Sequence, residues 1–311
     1  MADGVFERGL NDEFLGALET LANESGSWWS DVLADKGLLI AIRNGYLNIY
    51  WRGQSLFNVR MKGSQVVAST HPKYLIDPSL SKLVQFDGRE FEVAKLIESG
   101  FVRTYEGPDT LRKLKRAANV YAGVEKIGVH AIATADPSIV DVEIAMSTSG
   151  MDPASMKEGD AGQIPRIDLA SMQSGVDGPE LVFWEAKHFS NAELRAEGEM
   201  TPQVIGQIAK YETTLAHHRD AVVASYTRVA HDLQRIADMS RGVRTVAPVI
   251  SAVASRAARL RVRNDHAVGL VVFGFSAADK TDPSWKAHRG KLEAGLAGRF
   301  EAAGDPKNIR L

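Results

Sequence analysis

Cysteine is absent from all 311 residues. The chain therefore has no disulfide, no thiolate nucleophile and no cysteine zinc site, and a reducing compartment such as the cytoplasm is expected. A charge excess is missing too: 37 Lys and Arg stand against 39 Asp and Glu, a formal net charge of −2. With no global basic field, a polyanionic partner would have to meet a local basic patch. No run of ~20 apolar residues occurs, which argues against a membrane-spanning helix. The start, MADGVFERGLNDEFLGALETL, lacks a basic segment followed by an apolar one, so no secretory signal is expected. Also lacking are the phosphate loop G-x-x-x-x-G-K-[ST], a strand-linked G-x-G-x-x-G and the G-x-S-x-G elbow. These absences speak against a P-loop motor and a dinucleotide enzyme.

What is present is the composition of a soluble globular protein, 44% apolar and 24% charged. The length suits one large domain or two ordinary ones. From Glu7 to Leu21 the apolar residues fall at helical spacing. The period then shifts to that of strands over Leu38 to Ile42, Tyr46 to Trp51 and Ser55 to Lys62, with Gln65 to Ser69 as a fourth strand. Asn44-Gly45 between the first two is a strong hairpin signal. Residues 1–105 thus read as an N-terminal α+β domain, a helix plus an antiparallel meander.

Residues 106–311 read as α/β. A helix is expected over Asp109 to Lys126, then strands at Ile139 to Met146, Pro165 to Ala170 and Leu181 to Phe189, with a loop at Ser147 to Gln163. Thr201-Pro202 opens the next helix, Thr as cap and Pro in the first turn. Helical pattern continues with breaks to Ile236 and again over Val249 to Arg259. A strand at Ala267 to Phe275 and a helix at Ser284 to Ala297 complete the reading. Antiparallel strands come first, and helices return a later one to the same sheet.

The sharpest chemical signal is Asp168 followed by Glu185 and Lys187. Side chains alternate along a strand, so Glu185 and Lys187 share a face. With Asp168 on a neighbouring antiparallel strand, three charged groups would converge at one sheet end. Two carboxylates there can hold a hard cation through oxygen ligands. Such an ion polarises a phosphoryl oxygen and acidifies a bound water, while Lys187 orients that water or stabilises developing negative charge. A Glu-x-Lys pair is commonplace on solvated sheet faces. Here, however, Leu181-Val182-Phe183-Trp184 precede it, marking a strand buried on both faces, where charge is costly without a purpose. On the following helix, Gln203, Gln207 and Tyr211 recur every four residues along one face.

In these features the sequence resembles the PD-(D/E)XK nuclease superfamily, the restriction-endonuclease-like fold, over about Asp109 to Ser276. The superfamily signature is an acid on one strand, a hairpin, then an apolar strand ending in (D/E)-x-K. Asp168 and Glu185-Ala186-Lys187 match it, with Ile167 in place of the proline. The Gln203/Gln207/Tyr211 helix is similar to that of the RecB-like branch. The resemblance implies a restriction-endonuclease-like core, a mixed sheet flanked by helices, and a nuclease using Mg²⁺ or Mn²⁺. Asp168 and Glu185 would be ligands with the Ala186 carbonyl as a third, Lys187 the catalytic lysine and Gln203 an auxiliary group. Gln207 and Tyr211 would position the site or the nucleic acid. A further acid is expected; Glu125 and Glu143 are the candidates, Glu143 preferred for its place on the first strand. DNA ranks ahead of RNA as substrate, with genome defence a role suggested by analogy alone.

Basic residues cluster at Arg112, Lys113, Lys115 and Arg116, and at Arg256, Arg259, Arg261 and Arg263, either of which can face phosphates or simply solvent. Trp28, Trp29 and Trp51 read as packing residues, and His217-His218 as surface; His188 adjoins the motif. The N-terminal part is expected to select substrate or partner or to mediate homodimerisation. The chief rival is a catalytically idle nuclease-fold protein that binds nucleic acid or a protein partner. A regulatory protein acting through its meander and a phosphodiesterase on small nucleotides are the others.

Overall fold

Asn11 starts the first helix. Its side chain accepts a hydrogen bond from Phe14 N (2.8 Å), so α1 runs Asp12–Asn23 and not from Glu7. The computed structural model describes residues 6–76, 101–145, 166–263 and 266–311. Ser27 caps a second, short helix, α2 (Trp28–Ala34), which the paired tryptophans hide from a helical reading. Strands β1 (Leu39–Ile42), β2 (Tyr46–Trp51), β3 (Gln54–Lys62) and β4 (Gln65–Ser69) form an antiparallel sheet in chain order. The Asn44-Gly45 turn is where expected: Ile42 pairs with Leu47, and Gly45 takes φ +70° at no steric cost.

The single helix expected over Asp109 to Lys126 is two. Helix α3 (Pro108–Asn119) ends, Gly123 adopts extended backbone, and α4 (Val124–Ala135) begins. Glu125 and Lys126 thus lie in the first turn of a new helix. Strand β5 (Ile139–Ala145) follows; the loop expected at Ser147 to Gln163, together with Met146 and Pro165, lies outside the described residues. Then come β6 (Arg166–Gly175), β7 (Gly178–His188), α5 (Gln203–His217), α6 (Arg219–Met239), α7 (Pro248–Ala254), β8 (Arg261–Val262) and β9 (Val268–Phe273). Helices α8 (Ala277–Thr281) and α9 (Pro283–Leu296) lead to β10 (Phe300–Ala303). Thr201 does not cap α5; Pro202 holds that position without a side-chain bond. The helix expected to reach Arg259 stops at Ala254.

The second sheet has the order β10-β9-β7-β6-β5, with β8 beside β7. Pairs β5/β6 and β6/β7 are antiparallel, whereas β7/β9 and β9/β10 are parallel. The protein is therefore α/β with a mixed sheet, preceded by an antiparallel one. Strand β7 is buried from Leu181 to Lys187, as its apolar run demands. No helix among the described residues is long and apolar enough to cross a membrane.

The two sheets share a core. One contiguous apolar cluster includes Phe6, Phe14, Trp29 and Leu47 from the first part and Ile167, Phe183, Tyr226 and Leu270 from the second. Polar groups stitch the same seam. Buried Asp141 of β5 receives Arg43 Nη1 (2.5 Å), Arg8 Nε (3.2 Å) and the Tyr226 hydroxyl (3.0 Å), while Arg43 Nη2 donates to Val142 O (2.6 Å). Asp232 of α6 accepts from Leu10 N (2.8 Å), and Arg244 donates to the carbonyls of Val32, Leu33, Asp35 and Leu38. On the other side of the sheet, His130 Nδ1 accepts from Arg52 N (3.1 Å), and the ring meets Trp51 edge-on.

Two outcomes are expected. Asp141→Ala strands the Arg43 guanidinium, 7% exposed, without its counter-charge. Urea denaturation should show a loss of about 3–5 kcal/mol. Burial, then the Arg52 charge, pushes His130 down from 6.5 to about 4. Between those values the unfolded chain carries a proton that the folded one refuses, so stability falls as pH drops through this window, by up to about 3 kcal/mol. His130→Asn, which retains an acceptor for Arg52 N, should melt with a flatter pH profile.

Candidate active site

The β6/β7 hairpin builds the site. Its strands meet at Gly175 and Gly178 around Val176-Asp177, and the register pairs Leu169 with Trp184. One step further toward the strand ends, Asp168 lies across from Glu185. Ala186 N donates to Asp168 Oδ2 (3.0 Å), tying the acid of one strand to the backbone of the next. Alternation brings Lys187 onto the face of Glu185, with Nζ 2.9 Å from Glu185 Oε1 and 2.6 Å from Glu193 Oε2. Glu193 lies in a short 3₁₀ turn, Ala192–Leu194, begun by Asn191, whose side chain accepts from Glu193 N (2.9 Å).

The neighbouring strand adds a third acid. Glu143 falls between the pairs Val142/Leu169 and Ile144/Ile167, opposite Asp168. Its φ is +54°, a left-handed conformation that a non-glycine residue holds only where its surroundings enforce it. Lys126 reaches in from α4: its Nζ is 2.6 Å from Glu143 Oε1 and 3.6 Å from Asp168 Oδ1. Arg166 Nη1 stands 3.8 Å from Glu143 Oε2. Glu125, the rival candidate, turns elsewhere. It accepts from His188 N (3.2 Å) and from the Asn191 amide (2.7 Å), bracing the end of β7.

Gln207 and not Gln203 serves the site from α5. The Gln207 amide donates to Glu185 Oε1 (3.0 Å) and to the Tyr211 hydroxyl (2.7 Å), which in turn donates to Arg166 O (2.9 Å). Gln203 is one turn too early and is exposed. Spacing alone marks the face but not which turn meets the carboxylates.

Water is largely excluded: Glu185 is 3% and Lys187 8% exposed. Burial, reinforced by Asp168, pushes the Glu185 carboxyl up to about 8. Burial also raises Asp168, against the pull of Lys126 and of the Ala186 N–H. For Lys187 burial acts downward, but Glu185 and Glu193 outweigh it and the ammonium is held well above its ordinary range. Lys126 is likewise raised on balance, by Asp168 and Glu143 against burial.

The donors present suit a hard divalent cation. Glu185 Oε2 is buried and has no hydrogen-bond partner among the described residues, whereas Oε1 already serves Gln207 and Lys187. Among the described residues, no three His, Asp or Glu side chains converge as a ligand set. An ion here would rest on Asp168 and Glu185, with backbone oxygen and water completing its shell, the manner usual for Mg²⁺. A scan of protein-family models, a search of curated proteins and a search of solved structures each return no match.

Sequence reasoning thus places Asp168, Glu185, Lys187, Glu143, Gln207 and Tyr211 together, with Ala186 engaged through its N–H. It misses Lys126, Glu193 and Arg166. The turn residue Asn191 was the one available hint to Glu193. The basic run on α3 is partly spoken for: Lys115 pairs with Asp35 (2.7 Å) and lies over Trp51, and Arg112 pairs with Asp109. Arg116 is exposed and Lys113 half-buried. The Trp29 ring is buried, with Trp28 edge-on to it. The His188 ring packs on Phe273 and Gly274.

Gln207→Ala should cost about 1–3 kcal/mol in urea denaturation, the value of leaving a buried polar group without its hydrogen bond. Gln203→Ala should stay within about 0.5 kcal/mol of the parent. Equal losses would contradict the assignment of Gln207.

Proposed function

We propose that this protein is a metal-dependent nuclease of the PD-(D/E)XK kind, hydrolysing phosphodiester bonds, with DNA ahead of RNA as substrate. The observation that carries the reading is Asp168, one residue beyond the Leu169/Trp184 pair and bonded by Ala186 N, beside Glu185 with Lys187 on the same face. Glu143 and the Gln207/Tyr211 pair around it support the reading. A bound Mg²⁺ or Mn²⁺ would supply Lewis acidity and a more acidic water.

The chain's own groups do the rest. Asp168 and Glu185 provide hard oxygens. Lys187, already poised between Glu185 and Glu193, stabilises negative charge at phosphorus or orients the attacking water. Gln207 fixes the Glu185 carboxylate, and Tyr211 fixes Gln207. Burial removes competing water, so each charge acts in a low dielectric. Exposed basic residues available to phosphate include Arg116, Arg166, Arg256 and Arg259.

One observation favours the idle-site alternative. Both site lysines are already engaged by carboxylates, which is also what a purely structural charge cluster would look like. Cleavage of plasmid, linear duplex, single-stranded DNA and RNA, with Mg²⁺, Mn²⁺ or EDTA, separates the two. Wild type should cut only with metal, and Lys187→Ala and Asp168→Ala should each lower the rate by on the order of 10²–10³-fold or more. Metal binding without cleavage of any polymer would favour the idle binder. Cleavage untouched by both substitutions would remove the site from the chemistry.

A further inference from the structure

Lys126 comes from the helix where an acid was expected, and it sits among the carboxylates. Its ammonium is 2.6 Å from Glu143 Oε1 and 3.6 Å from Asp168 Oδ1. Those two acids are almost enclosed, with side-chain exposures of 5% and 14%, whereas the Lys126 side chain is 37% exposed. The lysine thus spans from solvent into the cluster. Its stem is packed as well: a Cβ on Gly53 would fall 2.7 Å from Lys126 Cβ and 2.9 Å from Cγ and Cδ. Gly53, at φ +74°, belongs to the β2–β3 turn, so the N-terminal sheet abuts the side chain.

The charges are unevenly served. Lys187 is shared by Glu185 and Glu193, which leaves Lys126 and the more distant Arg166 for Glu143 and Asp168. Glu143, at φ +54°, faces this ammonium. A divalent cation at Asp168 would lie within a few ångströms of Nζ, and two cations that close repel strongly in a poorly solvated pocket. A flexible four-carbon stem and a solvent-side route allow the ammonium to leave.

We propose that Lys126 is the resident counter-cation of the carboxylate cluster, standing between Glu143 and Asp168 and beside the position that a divalent ion on Asp168 and Glu185 would take, so that metal binding must displace it. The proposal rests on the reading of the cluster as a metal site. Lys126 then sets the threshold concentration at which the cluster takes up metal. The displaced ammonium emerges beside the β2–β3 turn, which links the N-terminal sheet to the state of the site.

Mn²⁺ binding to the full chain is measured by isothermal titration calorimetry for wild type, Lys126→Met and Lys126→Arg. Methionine keeps an unbranched stem against Gly53 and removes the charge. Lys126→Met should bind Mn²⁺ at least about tenfold more tightly, the order expected for one opposing charge removed, with Lys126→Arg close to wild type. An affinity unchanged or weakened in a folded Lys126→Met overturns the proposal. A second readout needs no variant: acetylation of Lys126 in wild type, followed by mass spectrometry, should rise when Mn²⁺ is added. Constant or reduced labelling overturns the proposal even if Lys126→Met does not fold. Wild type that cleaves DNA but shows neither effect refutes displacement and leaves the nuclease reading standing. Tighter binding and increased labelling without cleavage support displacement and count against the nuclease reading. No Mn²⁺ binding by any form overturns both.

Discussion

The buried carboxylate of Asp141 decides how the two sheets meet. It sits on β5, the edge of the mixed sheet, and draws in Arg43 from the end of β1, Arg8 from the N-terminal approach and the Tyr226 hydroxyl from α6. With Val142 N, which also donates to Oδ1 (2.8 Å), four donors converge on two oxygens. A charge this deeply buried is tolerated only when every lone pair is answered. The apolar core then closes over the same seam. The consequence reaches the site: with β1 and β2 fixed against β5 and α4, the β2–β3 turn lies on the stem of Lys126.

Charge compensation also organises the candidate site. Acids from β5, β6, β7 and the turn after β7 are interleaved with two lysines, one from α4 and one from β7. Glu143, Asp168 and Glu185 are nearly enclosed, so each depends on a partner within a few ångströms. Glu185 shows the imbalance most plainly. One oxygen is doubly engaged and the other has no hydrogen-bond partner among the described residues. Burial and the facing Asp168 hold its proton to near-neutral pH. Four acids stand here against two lysines, and the divalent cation proposed above would be their further partner.

Local signals in the sequence were strong where one principle acted alone. Asn44-Gly45 specified a hairpin because its backbone conformation is accessible to few residue pairs. The run Leu181 to Trp184 specified a strand buried on both faces, and Glu-x-Lys at its end followed the alternation of a strand. Boundaries failed where two tendencies compete. The stretch Asp109 to Lys126 has unbroken helical character in composition, yet Gly123 interrupts it. Trp28-Trp29 favours a strand by type, but the Ser27 cap makes it a helix. Four residues at Phe300–Ala303 are too few for a period to show, and only pairing with β9 makes them a strand.

Asp168, Glu185 and Lys187 were legible as a set because strand alternation is a covalent fact, true of any extended chain. The same sequence determined the mixed α/β order and the first antiparallel sheet. Which groups join that set was decided only by tertiary structure. Glu125 and Lys126 are adjacent, and their helix can present either one to the sheet; its packing angle against β7 sends Glu125 to His188 N and Lys126 to the acids. Gln203 and Gln207 share a helix face, and the height at which α5 lies against the sheet selects the second. Choices of this kind depend on how elements are translated and rotated against each other. No residue spacing encodes that, because it emerges from the core that all of them bury together.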